Sequence, residues 1–340
     1  MATYTKKQLE IITSIALKGF ISSRDMKEYS RTTFSREIKT LLEKSFVEKK
    51  GSGPSTVYIK SKNFYSAPID SVVYFQVEQD KRIIEETEDS IFFERLKKIF
   101  TDEEKKELDE YTKIWRDKIK TATPTTRKKE FERITTELSW KSSQIEGNTY
   151  SLLDTERLLK EGEQAHGHSD KEAIMILNHK ETLEYIAKQS ESFKILNRTS
   201  IEEIHRILVH QLDVETGLRR GGVGILGTNY RPKDNVYQIQ DQIHLFFKTI
   251  NEVDNIPTKA ILALICVAYI QPFADGNKRT SRMLANACLL SSEYPILSFR
   301  SIDEVEYKKA ILLVYEQHNI FNIKKLFIDQ YRHACTQYFG

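Results

Sequence analysis

The stretch Ala260-Ile261-Leu262-Ala263-Leu264-Ile265-Cys266-Val267-Ala268-Tyr269-Ile270 runs directly into Gln271-Pro272-Phe273-Ala274-Asp275-Gly276-Asn277-Lys278-Arg279-Thr280-Ser281-Arg282, and the two together decide the fold. The first half is a helical apolar run. The second packs an aromatic anchor, a carboxylate, a glycine, an amide and three cations into a short segment. A carboxylate can hold Mg²⁺. Gly276 and Asn277, at the start of the next helix, offer backbone N–H groups to a phosphate. Lys278, Arg279 and Arg282 add cations on its first turns, and Arg279 and Arg282 share a helix face. The segment reads as a triphosphate–Mg²⁺ site. The plainer alternative is a structural helix start rich in basic residues.

Outward from this stretch the pattern is helical almost throughout. Upstream candidates are 126–146, 151–161, 170–188, 199–212, 236–252 and 257–270; downstream they are 277–291, 303–317 and 322–338. The exception is Gly221 to Tyr237, where Gly221-Gly222-Val223-Gly224-Ile225-Leu226-Gly227 precedes Thr228-Asn229-Tyr230-Arg231-Pro232. Glycines with β-formers predict a short hairpin there. Residues 83–121 are dense in Glu and Lys and predict one or two amphipathic helices. Residues 63–82 read as a linker followed by a strand-like or irregular piece around Val72-Val73-Tyr74-Phe75.

The N-terminal part differs in charge. Residues 1–62 hold 13 Lys/Arg against 6 Asp/Glu, a formal +7, so with a total of +3 the rest of the 340-residue chain carries −4. Residues 5–17 have a helical period. Ser22 or Ser23 is placed to cap a second short helix through Glu28, and Thr32 or Thr33 a third. On the third, Ile38, Leu41 and Leu42 face inward and Arg31, Arg36 and Lys39 outward. Phe46 to Lys50, the turn Gly51-Ser52-Gly53-Pro54 and Ser55 to Ile59 read as a hairpin. Three helices and a hairpin resemble a winged helix-turn-helix, with 31–44 as recognition helix and 46–60 as wing. The basic charge favours duplex DNA as partner; the alternative is a winged helix used for protein contacts.

Composition excludes some classes. At 39% hydrophobic and 30% charged residues, the chain suits a helix-rich cytoplasmic protein. No run of about 18 apolar residues exists, so no membrane helix is expected. Met1-Ala2-Thr3-Tyr4-Thr5-Lys6-Lys7 lacks the features of a signal peptide. Cys266, Cys288 and Cys335 lie far apart, without zinc spacing, and are expected as core thiols.

The segment from Gln271 to Arg282 resembles the Fic family signature His-Pro-Phe-x-(Asp/Glu)-Gly-Asn-(Gly/Lys)-Arg-x-x-Arg. It departs at the first position, where the family's catalytic histidine is Gln271. The resemblance covers roughly residues 124–338. It implies a mainly α fold: a Fic-type helical bundle with a short β-hairpin flap, preceded by the small winged helix-turn-helix. The implied regions are 1–62 for the winged module, 63–123 for linker and amphipathic helices, and 124–338 for the Fic domain with its inhibitory helix.

By this resemblance the site uses ATP and Mg²⁺ to transfer AMP to a protein Ser, Thr or Tyr hydroxyl. Phe273 anchors the loop, and Asp275 holds Mg²⁺. Gly276, Asn277 and Lys278 form the anion hole, Asn277 orients the α-phosphate, Arg279 contacts the β-phosphate and Arg282 the γ-phosphate. Fixed donors and a metal stabilise charge on the phosphoryl oxygens. The flap, Leu226-Gly227-Thr228-Asn229-Tyr230, covers the nucleotide and docks the target as an added strand; read as a bare pattern it is a connector. Asn286, Tyr307 and Tyr315 fall where the family lines the adenine and ribose pocket, with helix-face packing as the alternative for the tyrosines.

Ser142-Ser143-Gln144-Ile145-Glu146-Gly147-Asn148 resembles the inhibitory motif (Ser/Thr)-x-x-x-Glu-(Gly/Asn). There Glu146 pairs with Arg282, a bidentate carboxylate–guanidinium clamp. The alternative is a helix end at Gly147-Asn148 with Glu146 on its surface. Gln271 has no basicity at neutral pH and cannot take a proton from an attacking hydroxyl. Loss of a positioned base costs on the order of 10²–10⁴ in rate. His205 and His210 lie on a separate helix, and nothing in the sequence places either at the nucleophile. Two readings stand. One is an autoinhibited AMP-transferring protein, weakened or silenced at Gln271. The other is a DNA-binding regulator whose Fic-like domain senses nucleotide or mediates contacts. A homo-oligomer is left open.

Overall fold

Side-chain caps fix where helices begin. Thr5 with Gln8, Thr101 with Glu104 and Ser169 with Glu172 form reciprocal capping boxes ahead of three of them. In a computed structural model that describes residues 4–339, the order is α1 (Lys6–Lys18), β1 (Phe20–Ile21), α2 (Arg31–Glu43), β2 (Val47–Lys50), β3 (Val57–Lys60), α3 (Ser71–Tyr74), α4 (Asp89–Leu96) and α5 (Asp102–Thr121). Then follow α6 (Pro124–Ile145), α7 (Leu152–Glu161), α8 (Asp170–Lys188), α9 (Arg198–Leu208), α10 (Val236–Asn251), α11 (Ile256–Ile270), α12 (Asn277–Leu290), α13 (Glu304–Gln317) and α14 (Phe321–Gln337). The fold is mainly α with one small antiparallel sheet. The first three residues, where the 1–62 module was expected to begin, lie outside the described residues. Among the described residues no helix is long and apolar enough to cross a membrane.

The chain forms two compact units. The first comprises residues 4–87, Ile225–Tyr230 and Val305–Lys325. Its sheet has the order β1-β3-β2, with Val47 opposite Lys60 and Lys50 opposite Val57. Gly51 turns the hairpin at φ +77°, and a Cβ there would lie 2.6 Å from the Ser55 carbonyl oxygen, so only glycine fits. Ile11, Ile15, Phe34, Ile38 and Leu41 form the core, and each buried side chain of this size contributes about 1.5–3 kcal/mol.

Four expectations in this unit are corrected. The short helix from Ser22 to Glu28 does not form. Asp25 instead accepts hydrogen bonds from the Ser22 N–H and hydroxyl, both at 2.7 Å, which closes a turn. The strand-like Val72-Val73-Tyr74-Phe75 run is the helix α3 and its end, because Asp70 caps the N–H groups of Val72 and Val73. The stretch after residue 62 is packed structure rather than linker, since Phe64, Ala67, Ile69 and Tyr74 share the core with Leu313 of α13. The cap of α2 is Ser30, just ahead of the expected threonines.

The second unit comprises Glu88–Gly224, Arg231–Glu304 and residues 326–339. At its centre α11 is buried at every position from Pro257 to Ile270, the property of a helix apolar all round. It packs on α10 and α12, and α12 also meets α6, α8 and α9. Although α12 is almost wholly buried, it carries Asn277, Arg279, Arg282 and Asn286. Buried charge is costly unless paired. The polar residues of α12 therefore mark the place to look for chemistry.

The predicted hairpin from Gly221 to Tyr237 is also corrected. Residues 221–235 form a loop without a strand, and Val236 already begins α10. Carbonyl groups that a ladder would use accept from arginines instead. Gly221 and Lys233 accept from Arg219, and Gly227 accepts from Arg82.

Candidate functional site

The loop from Gln271 to Gly276 joins α11 to α12 and is tied at both ends. Gln271 terminates α11 in the left-handed region, at φ +52°. Its Nε2–H donates to the Ala268 carbonyl at 2.7 Å, and its Oε1 accepts from Asn277 Nδ2 at 3.0 Å. The Asn277 amide also accepts from the Phe273 N–H and donates to the Phe273 carbonyl, both at 2.8 Å. The side chain expected to orient a phosphate thus holds the loop itself.

Arg219 braces the loop from outside. Its backbone N–H donates to the Pro272 carbonyl at 3.0 Å and its Nε–H to the Gln271 carbonyl at 2.6 Å. Phe273 is fully buried, as expected of an anchor, and stacks on His205 with centroids 3.7 Å apart. His205 donates through Nε2 to the Asp275 carbonyl at 3.0 Å. Burial pushes its pKa down to about 4, outweighing that hydrogen bond, so the ring is neutral at pH 7.

Gly276 precedes α12 at φ +77°, and no side chain caps the helix start. A Cβ on Gly276 would lie 3.1 Å from Val209 Cγ1. Arg279 lies beneath, buried, with Nη2 donating to Asp275 Oδ2 at 3.2 Å. Its Nη1 is buried and has no hydrogen-bond partner. Burial lowers the Arg279 pKa, partly offset by Asp275 and Glu146. The Asp275 carboxylate itself is 71% exposed.

Ser142 and Glu146, at the end of α6, meet Arg282 of α12. Arg282, with no exposed side-chain surface, donates through Nη2 to Glu146 Oε1 at 2.8 Å. It also donates through Nε to Ser142 Oγ and through Nη2 to the Ser142 carbonyl, both at 2.9 Å. Burial alone would raise the Glu146 pKa. The charges of Arg282 and Lys278 and the Arg282 hydrogen bond outweigh it and hold the carboxyl below its ordinary value. A depressed carboxyl keeps its pairing above the unfolded value and loses it only as pH falls through the lower folded one, so the pair is fully charged at neutral pH. Glu146 ends α6 and is not a surface bystander.

Two residues of this site were missed in the sequence. His179 on α8 is buried and neutral, its pKa pushed down to about 3 chiefly by burial. Its Nδ1–H donates to the Met175 carbonyl at 2.7 Å, which leaves Nε2 to accept from the Ser142 hydroxyl at 2.9 Å. Ser142 Oγ then presents a lone pair to Arg282. Arg219 was the other. Neither carries a periodic or motif signal, so only tertiary structure reveals them.

The remaining candidates, apart from Asn286, lie in the first unit. Leu226 is 97% exposed. The Gly227 carbonyl accepts from Arg82 Nη2, and Thr228 is buried. Asn229 Oδ1 accepts from Gln79 Nε2 at 2.7 Å, and the Tyr230 ring stacks on Tyr315 at 5.3 Å. Tyr307 and Tyr315 are buried on α13. Asn286, in the second unit, clamps the Leu297 backbone with bonds of 3.0 and 2.8 Å.

The arrangement leaves the start of α12 without a side-chain cap and engages Arg282, one turn further on, with Ser142 and Glu146. Residues 195–289 match the model of the Fic/DOC family. The chain therefore carries a Fic/DOC domain. It is 30% identical over 175 residues to the protein adenylyltransferase Fic of Nematostella vectensis, covering 49% of this chain and 40% of that protein. The protein adenylyltransferase Fic of Drosophila virilis is 32% identical over 154 residues, covering 44% and 32%. The matched region thus spans well under half the length of these relatives. Fic-1 of C. elegans shares the fold with a TM-score of 0.62 at 15% identity, over 97% of both chains. A Fic domain containing signaling protein of Bacteroides thetaiotaomicron gives 0.56 at 20% identity, over 68% of this chain and 94% of that one.

Proposed function

We propose that this chain is a Fic-type AMP-transfer protein that keeps the nucleotide-binding half of its site and lacks the group that activates the acceptor. The observation that carries this reading is the start of α12. An uncapped helix start lies beside a buried Arg279 whose Nη1 has no acceptor. A phosphate satisfies both, because helix N–H groups and a guanidinium favour an anion. Asp275, exposed beside Arg279, fits Mg²⁺, which takes one or two carboxylates together with phosphate oxygens. Among the described residues no cluster of three or more His, Cys, Asp or Glu offers an all-protein metal cage. Asp275 would hold the ion, and the bound ion would neutralise phosphate charge.

Glu146 occupies Arg282 and keeps it from a terminal phosphate. Gln271 supplies no base, and both ends of its amide are engaged. The acceptor is a protein hydroxyl. A cytoplasmic setting is part of the proposal, supported by three buried free cysteines.

Mg²⁺–ATP is expected to bind despite Gln271, several-fold more tightly in Glu146→Gly, and to lose binding in Arg279→Ala. Calorimetry decides; absence of heat at millimolar ATP in both the unaltered chain and Glu146→Gly would sink the proposal.

One observation favours a second reading, a DNA-binding regulator with a nucleotide-responsive Fic domain. Arg31 and Lys39 on α2 and Lys49 and Lys50 on β2 are all exposed. Retardation of duplex DNA at low salt is expected. Replacing two of these residues by glutamate should lower the slope of log affinity against log salt by about two. No retardation at low salt removes this reading.

A further inference from the structure

The second unit holds a cavity of about 510 Å³ that plays no part in the site described above. It lies where α5 and α6 meet the end of α12. Its volume falls in the range of small-molecule pockets, roughly 300–1,000 Å³. Trp115, Ile134 and Ile296 are buried beneath it, with half-buried Ile119, Phe131 and Leu290 around them. Phe339 closes one side, edge-on to Trp115 at 5.2 Å.

Its charge is one-sided. Arg116, Lys120 and Arg127 are exposed at its rim, against the single acid Glu293. Arg116 lies over the Tyr294 ring, 5.3 Å from its centroid, and keeps its charge at the mouth. Arg127 donates through Nε and Nη2 to the Ala122 and Ile119 carbonyls at the end of α5, at 3.2 and 2.7 Å. This offsets the negative pole of that helix end. Lys120 is 3.9 Å from exposed Asp117, a pair that contributes little.

The floor offers no hydrogen-bonding edge. The one N–H in it, Trp115 Nε1, already donates to the Glu293 carbonyl at 3.2 Å. A nucleobase would leave its polar edge unpaired there, at a cost of several kcal/mol. An alkyl chain leaves nothing unpaired.

We propose that this cavity is a binding site for a small amphipathic carboxylate, its apolar body against Trp115 and Ile134 and its carboxylate among Arg116, Lys120 and Arg127. The site is independent of the nucleotide reading. Buried apolar area supplies the affinity, and the cations select the sign of the headgroup.

Sodium decanoate is the probe, with decylamine and decanol as matched chains of opposite and no charge. Each is titrated into the full chain carrying Trp140→Phe, so that Trp115 alone reports. Decanoate is expected to shift Trp115 emission saturably and to raise the unfolding temperature. Decylamine should bind at least tenfold more weakly, with decanol between. Arg116→Glu with Lys120→Glu should weaken decanoate at least tenfold, while Arg116→Lys keeps most of the binding. No saturable response to millimolar decanoate, equal binding of decylamine, or undiminished binding in the charge-reversed pair would overturn the assignment. Should that pair fail to fold, the comparison of decanoate with decylamine on the Trp140→Phe chain still decides it.

Discussion

Gln271→His combined with Glu146→Gly is expected to raise AMP transfer by about 10²–10⁴ over the unaltered chain, the usual contribution of a positioned base. On the proposed function two obstacles stand in the way, so neither change alone is expected to give full activity. Histidine tolerates the left-handed backbone better than most residues, so φ +52° at position 271 is no barrier. Its neutral ring is basic enough to accept a hydroxyl proton near pH 7. Glu146→Gly removes the carboxylate 2.8 Å from Arg282 but leaves the Ser142 bonds, so the guanidinium stays in place. A buried cation then lacks its counter-charge. Breaking such a pair costs up to about 3 kcal/mol in the nucleotide-free protein. Bound triphosphate supplies the missing charge, so Mg²⁺–ATP should restore the lost stability in Glu146→Gly. Transfer is read from a mass gain of one AMP on the chain itself. If the unaltered chain transfers as fast as the double variant, Gln271 is not the obstacle. If the double variant binds ATP and stays inert, the regulator reading gains.

What the sequence revealed and what it hid follow from the range of each interaction. α11 was legible because an apolar run needs no partner to be recognised. The polar run from Asp275 to Arg282 stood out in the sequence because its elements are consecutive. The pairing of Glu146 with Arg282 spans 136 residues and was reached only through the family motif. His179 and Arg219 have no motif, and their partners are distant or backbone carbonyls. The hairpin misreading from Gly221 to Tyr237 has a clear cause. Local glycines and β-formers permit a ladder, but arginine side chains took the carbonyl groups first. At Val72-Val73 the Asp70 cap overrode β-propensity, a local signal outweighed by a more local one.

Arg82→Leu is expected to destabilise the first unit by about 3–5 kcal/mol, the cost of leaving one charge of a buried pair alone. Arg82 Nε and Nη2 meet Glu316 Oε2 and Oε1 at 2.9 and 3.0 Å, and Glu316 has no exposed side-chain surface. Without Arg82, Glu316 keeps only the Tyr74 hydroxyl, at 2.9 Å, among its side-chain donors. The same guanidinium serves the Val77 carbonyl at 2.8 Å and the Gly227 carbonyl, so its loss also frees the loop that bears Leu226. Arg82→Leu with Glu316→Leu and Tyr74→Phe removes both charges and the orphaned hydroxyl. It should recover most of the loss, since a buried ion pair often does no better than apolar residues of similar volume. Hydrogen exchange reads this locally. Protection over residues 64–87 and 225–230 should fall roughly 10²-fold or more in Arg82→Leu, because about 1.4 kcal/mol corresponds to tenfold in an opening equilibrium. The triple variant should return to within about tenfold of the unaltered chain. Equal protection in the single and triple variants would mean that the cost lies in lost packing, and that the buried charge of Glu316 is tolerated without its partner.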